Sequence, residues 1–180
     1  MNFELSEEQQ LVSDSIERFV QDNYDLESRV AIVNKKPGFS PDYWKTMSEL
    51  GWFGLPFSEE DGGFGGDQLD TMVLMEQFGK GLVLEPFLAS IVLGGGVLKR
   101  TASETKRKAW LESVIDGSKQ LALAYAEPES GFEPHNVAVA GTKTDDGYTL
   151  TGTKCMVLHG KTADAFVVSF RTSGGVVDQS

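Results

Sequence analysis

The chain has 180 residues, with 27 acidic against 16 basic side chains and a net charge of −11, so it repels a phosphate backbone and nucleic-acid binding is disfavoured. Hydrophobic residues make up 40% and charged residues 24%, ordinary values for a globular protein of one domain to one and a half. Cys155 is the only cysteine, which rules out an internal disulfide and fits a reducing, cytoplasmic setting; no Cys or His spacing suits a metal, the opening MNFELSEEQQ lacks the regions of a signal peptide, and the longest apolar stretch, PFLASIVLGGGVL, falls short of the ~20 residues that cross a bilayer.

The first two thirds of the chain read as helices. Ser6 and Gln9 form a capping box, and Glu7 and Glu8 suit a first turn. Val12, Ile16, Phe19 and Val20 then share one face. A second helix is expected from Ser40-Pro41, an N-cap followed by proline at the first helical position. Trp44, Met47 and Leu50 form its stripe, and Gly51 is placed to end it in a left-handed conformation. The stretch GWFGLPFSEEDGGFGGD is too rich in glycine for regular structure. Asp67 caps a third helix carrying Leu69, Met72, Val73 and Phe78, apolar enough to be largely buried. Glu85-Pro86 opens a fourth helix reaching Leu98. Ser103 caps a fifth, with Leu111, Val114 and Ile115 facing inward and Gly117 ending it.

After Gly117 the period changes. LALAYA reads as a short buried strand. NVAVAGTKT and YTLTGTKCMVLHG, with the turn DDG between them, carry a hairpin signature, and DAFVVSF is a further strand. The fold class is therefore α+β with segregated parts: an all-α helical domain over 1–118, then part of a β domain over 119–180. These four short strands have no obvious closing partner, so either another chain covers their edges or the chain belongs to a longer one.

The order of features resembles the acyl-CoA dehydrogenases over the whole chain. The SEEQQ helix is followed by YWKTMSELGWFGLPFSEEDGGFGG, similar to that family's run of helix, Leu-Gly, Pro and Glu-Glu-x-Gly-Gly. LALAYAEPESG resembles its Thr-Glu-Pro-x-x-Gly segment, and YTLTGTKCMVLHGKTADAFVVSFRT its Gly-x-Lys, Gly and Ala-Asp strand pair. In detail the chain looks nearest to the branch holding the small subunits of pimeloyl-CoA dehydrogenase. The resemblance implies a β-barrel-like or β-sandwich middle domain and FAD as cofactor. The substrate would be an acyl-CoA thioester desaturated between its α and β carbons, with an electron-transfer flavoprotein or similar acceptor and a homo- or hetero-oligomeric assembly. It also implies that the catalytic base, a glutamate of a C-terminal helical bundle, lies beyond Ser180, so that this chain alone is expected to be inactive.

Carried over residue by residue, the resemblance assigns flavin contacts to Leu123, Tyr125 and Ala126 on the strand before Glu-Pro, and to Met156 and Leu158 in the next motif. Phe132 falls where the family has a serine near the cofactor or thioester. Ala126 stands for a threonine, Met156 for a tryptophan and Leu158 for a serine or threonine. Backbone contacts survive such changes, and side-chain hydrogen bonds do not. An alternative of another class follows: a non-catalytic partner subunit of a heteromeric dehydrogenase, with weak or no flavin binding. The Glu-Pro-x-x-Gly frame favours the enzyme, and the missing hydroxyls favour the partner subunit.

Taken alone, the same residues have plainer readings. Met156 and Leu158 alternate as core positions on a strand. Cys155 is a small apolar residue, and His159 sits at a turn. Glu127, Glu129 and Glu133 are solvated loop carboxylates. The basic run KRTASETKRK, Lys99 to Lys108, is a solvated helix end, the rival reading being a contact for a CoA phosphate or an acidic partner.

Overall fold

The computed structural model describes residues 4–131 and 133–176. Among these described residues the helices are α1 (Glu7–Asn23), α2 (Leu26–Val33), α3 (Pro41–Glu49), α4 (Gln68–Lys80), α5 (Gly96–Thr101) and α6 (Glu104–Ile115). A π-helical segment, Leu88–Gly95, leads directly into α5. The strands are β1 (Leu121–Ala124), β2 (Ala140–Thr144), β3 (Gly147–Thr151) and β4 (Ala165–Val168).

Local chemistry sets most helix ends as expected. Ser6 and Gln9 close a reciprocal capping box on α1, and Asp67 with Asp70 does the same for α4. Gly51 adopts φ 79° after α3, and its N–H and that of Trp52 return to Ser48 and Met47 at 2.8 and 3.2 Å. Ser103 begins α6 without its hydroxyl making a cap hydrogen bond.

Three expectations needed correction. Helix α2 was not foreseen; Asp25 caps it through the Ser28 N–H at 2.7 Å, but none of its residues is buried, so the core-facing stripe that reveals other helices is absent. Helix α4 is not wholly enclosed: Val73 and Phe78 are buried, whereas Leu69 and Met72 stand half exposed. The helix expected from Pro86 to Leu98 winds as a π-helix over Leu88–Gly95 and runs on to Thr101.

One aromatic core joins the helices. Trp44, Trp52, Phe53, Phe57, Phe78 and Phe87 pack with Ile16, Met47, Leu111 and Val114. The Trp44 indole donates to the Gly117 carbonyl at 2.9 Å, and Ser48 Oγ to the Ile115 carbonyl at 3.0 Å, so α3 satisfies the open C-terminal end of α6. Arg107 on α6 pairs with the buried Asp61 at 2.7 Å, which pins the glycine-rich loop.

Within that loop Gly63 lies flat against backbone. A Cβ there would run into the carbonyl oxygens of Phe57 and Gly54, which accept from Gly65 and Phe64 at 2.7 and 3.0 Å. Gly63→Ala is therefore expected to lower stability by about 1–3 kcal/mol. Gly79→Ala, in α4 with open space around it, is expected to be neutral or stabilising. Paired thermal unfolding curves check both.

The strands pair two by two. β1 and β4 are parallel, with Leu121 opposite Ala165 and Ala124 opposite Val168. β2 and β3 form the expected hairpin, with Ala140 opposite Thr151 and Thr144 opposite Gly147. The second hairpin strand is shorter than YTLTGTKCMVLHG: it stops at Thr151, and residues 152–163 form a loop. Leu121 N–H donates to the buried Ser90 Oγ at 2.9 Å, and a Cβ on Gly94 would sit 2.7 Å from the Leu121 Cβ. Small residues on the π-helix thus let β1 lie directly against it, which sets the walls of the site below.

Candidate functional site

Where β1 ends, the chain turns at Glu127-Pro128. At Glu127 the sequence reading of a solvated loop carboxylate fails. It is buried rather than solvated, and its Oε1 accepts from Lys154 Nζ at 2.6 Å and from the Val139 N–H at 3.1 Å. Oε2 accepts from the Ala138 N–H at 2.8 Å. Lys154 spends its other two protons on the Tyr125 carbonyl and Ser169 Oγ, each at 3.0 Å, so all three of its donors are used. Ser130 closes the turn, accepting from the Glu127 N–H at 3.0 Å.

Burial pushes the Glu127 carboxyl up, but Lys154 and the Ala138 and Val139 N–H groups outweigh it and hold it below the ordinary carboxylate range. A carboxylate so coordinated and so weakly basic is an anchor, not a general base. It ties the end of β1, segment 137–139, the loop at Lys154 and the end of β4 into one frame.

Against this frame lies a cavity of about 760 Å³. Leu93 and Val97 form its helical wall, Leu123, Tyr125 and Ala126 the β1 wall, and Cys155, Met156 and Leu158 the loop wall; Glu127 and Ser169 stand at its edge. The five residues assigned as flavin contacts, drawn from two segments some thirty positions apart in sequence, therefore border one space. Phe132 lies outside the described residues. Cys155 is half-buried in the cavity wall. Met156 is not a core residue of a strand: it is 79% exposed and, like His159, adopts a left-handed backbone, with φ 50° and 53°. Such strain in non-glycine residues gathers at functional sites.

By size and apolar lining the cavity suits a flat aromatic ring. The hydroxyls bordering it belong to Tyr125 and Ser169, and Ser169 Oγ is engaged by Lys154. Positions 126 and 158 offer none. Such a lining would fit the faces of a flavin ring and would offer few side-chain hydrogen bonds to its edge.

A second cavity, of about 400 Å³, adjoins the N-terminal end of the π-helix. Glu85 borders it and is buried. Its carboxylate accepts from the Tyr24 hydroxyl and, at 3.0 Å, from the Ser40 N–H. Burial pushes Glu85 up to about 7, against hydrogen bonds from Ser40 and its own segment that act the other way. His159, facing the Phe39 ring edge-on at 6.1 Å, is held below its usual range by partial burial. Nothing in the sequence marked Glu85 beyond its place before Pro86; its partners come from 45 and 61 positions away.

Two of the five cations in the basic run meet carboxylates, and others donate to backbone carbonyls. Lys99 donates to the Pro56 carbonyl at 2.6 Å, Arg107 meets Asp61 and Lys108 meets Glu104 at 2.8 Å. Among the described residues no group of three His, Cys, Asp or Glu side chains is arranged to hold a metal, and no helix is long and apolar enough to cross a membrane.

The acyl-CoA dehydrogenase N-terminal domain family matches residues 6–118. Probable acyl-CoA dehydrogenase YngJ of Bacillus subtilis is 28% identical over 171 residues, 94% of this chain and 44% of its own length. The ChsE4-ChsE5 complex from Mycobacterium tuberculosis contains a chain that superposes with a TM-score of 0.85 at 27% identity, over 96% of this chain and 46% of that one. PigA, solved as its FAD complex, superposes with a TM-score of 0.83 at 28% identity, over 97% and 46%. The chain spans less than half the length of these relatives. With a domain family matched over residues 6–118, and solved relatives superposing over nearly the whole chain, the chain belongs to the acyl-CoA dehydrogenase family.

Proposed function

We propose that the chain is the helical domain, over 1–118, and the opening of the β domain, over 119–180, of an FAD-dependent acyl-CoA dehydrogenase acting on an acyl-CoA thioester. The observation that carries this reading is the convergence of Leu123, Tyr125, Ala126, Met156 and Leu158 on one apolar cavity of about 760 Å³. A flavin there supplies two-electron acceptance. This chain's own residues do other work. Leu93, Val97 and Leu123 exclude water, and the Glu127–Lys154 frame fixes the β1 wall without offering a base. Proton abstraction from the α carbon is then not the work of Glu127, and electrons pass on to an electron-transfer flavoprotein or a similar acceptor.

A specific observation favours the second reading, a non-catalytic partner subunit: Ala126 and Leu158 leave the cavity without the hydroxyls the family places there. In either reading the protein works within a homo- or hetero-oligomer. Tyr148, Leu150 and Phe166 stand exposed on both sheets, which supports coverage by further protein.

Titration of the purified chain with FAD, followed by flavin fluorescence, tests the assignment. The double variant Ala126→Thr, Leu158→Thr is expected to tighten binding by about 1–3 kcal/mol in total, roughly five- to 150-fold. No gain would mean that these positions do not face the ring. No binding by either protein would favour the partner subunit.

A further inference from the structure

Two groups that the flavin-facing cavity does not use border the smaller cavity of about 400 Å³: Arg29 and the buried Glu85. Arg29 comes from α2, which buries none of its own residues. Its Nε donates to the Leu82 carbonyl at 2.9 Å. Leu82 offers that carbonyl from a left-handed backbone, φ 50°, which is uncommon for leucine. This tether holds the guanidinium at the cavity border. Among the described residues its other N–H groups meet no protein acceptor, so a planar fork of the shape that takes a carboxylate stays open. Met75, Phe78, Leu84 and Leu88 give the same cavity apolar walls. An ammonium group would be repelled by Arg29, and a wholly apolar molecule would leave the fork unused.

We infer that this cavity binds a carboxylate carried on an apolar stem, with the carboxylate on the Arg29 fork and the stem against Met75, Phe78, Leu84 and Leu88. The far end of an acyl thioester and a free acid share that chemistry. Glu85 makes the binding depend on pH. The charged and titratable groups around it are Arg29 from α2, His159 from the loop after β3 and Tyr24 from the end of α1; α4 adds only Met75, Phe78 and Gly79 to this cavity. Ionised, Glu85 repels a second carboxylate; neutral, it does not. Burial pushes Glu85 up to about 7 and holds His159 below 6.5. Between about pH 6.5 and 8 the group that changes charge is therefore chiefly Glu85.

In a chain labelled with 13C at its methionine methyls, octanoate is expected to shift Met75. It should bind roughly eightfold tighter near pH 6.5 than near pH 8, as the neutral share of Glu85 rises from about a tenth to about three quarters. 1-Octanol, with the same stem, should bind equally at both. Arg29→Gln should weaken octanoate about tenfold or more and leave octanol unchanged. Arg29→Lys keeps the charge without the fork and should recover part of the loss. Because α2 buries nothing, these variants put no core contact at risk. Glu85→Gln should bind octanoate alike at both pH values. No Met75 shift with octanoate, or equal octanoate binding by Arg29→Gln, would overturn the site. A pH dependence that survives Glu85→Gln would overturn the part given to Glu85. Octanoyl-CoA and its ω-carboxylated counterpart, octanedioyl-CoA, distinguish the two sources. If octanedioyl-CoA shifts Met75 and Met156 together and loses affinity in Arg29→Gln, while octanoyl-CoA does not lose it, the carboxylate is the far end of the thioester. If octanoate behaves as stated and neither thioester shifts either methionine, the carboxylate site stands with a free acid as its occupant, and the acyl-CoA reading falls.

Discussion

Lys154→Met is expected to destabilise the folded chain by about 3–5 kcal/mol at neutral pH, the cost of breaking a buried ion pair from one side. The side chains of Lys154 and Glu127 are only 9% and 6% exposed. Methionine matches the length of the lysine stem and removes the charge. The Glu127 carboxylate is then left buried with two backbone N–H groups, and the Tyr125 carbonyl and Ser169 lose a donor. A loss of this size is a large share of a domain's total stability. The double variant Lys154→Met, Glu127→Gln is expected to recover part of it, because the neutral amide leaves no bare charge and its one oxygen still accepts from one of the two N–H groups, Ala138 or Val139. The pair also has a pH signature. Glu127 is held below its ordinary 4.5 in the fold, so its contribution is complete above that value and is lost as pH falls through the folded pKa. Urea unfolding of the two variants and the unmodified chain measures all of this. A loss under about 1 kcal/mol for the single variant would show that the frame is solvated.

The second large effect is expected at Glu85. Unfolded, its carboxyl has an ordinary value of 4.5; folded, burial raises it to about 7. Between these values the folded chain holds a proton that the unfolded chain has released. The stability that Glu85 contributes is therefore complete below about 4.5 and declines as pH rises to about 7. At ~1.36 kcal/mol per pH unit the total is about 3 kcal/mol. Glu85→Gln keeps an acceptor oxygen for the Ser40 N–H and an NH2 that can donate to the Tyr24 oxygen, but cannot ionise. It should match the unmodified chain near pH 5 and exceed it in stability near pH 8 by an amount of that order. His159 works in the opposite direction: with its folded pKa lowered by burial, its contribution is complete above the usual 6.5 and is lost as pH falls through the folded value. Because His159 is present in both proteins, the difference between their unfolding midpoints across pH isolates Glu85. Parallel profiles would mean that the Glu85 carboxyl reaches water in the fold.

How much of this was legible in advance differs from element to element. Ser6, Ser40, Asp67 and Gly51 marked helix ends because capping is local chemistry, decided by residues three or four apart. The hairpin was legible for the same reason: Asp145-Asp146-Gly147 sits between two Thr-rich runs. Helix α2 was not, since it buries nothing and so leaves no stripe. The π winding of Leu88–Gly95 was hidden because an apolar run interrupted by glycine has no distinctive period, and its geometry answers to β1 lying against Ser90 and Gly94.

The cavity-lining residues were assigned through resemblance, and they do border one space. Their surroundings were misread. Glu127 looked like one solvated loop carboxylate among three, yet its partner Lys154 is 27 positions away and becomes a neighbour only when β1 and the loop after β3 converge. Met156 looked like a strand position, and the loop instead turns it outward with φ 50°. By itself the sequence determined the helical caps, the switch from helices to strands near Gly117 and the hairpin. Tertiary structure alone decided which carboxylates are buried and which cation meets them. Burial and ion pairing depend on distances between segments, and those distances exist only once the core has closed.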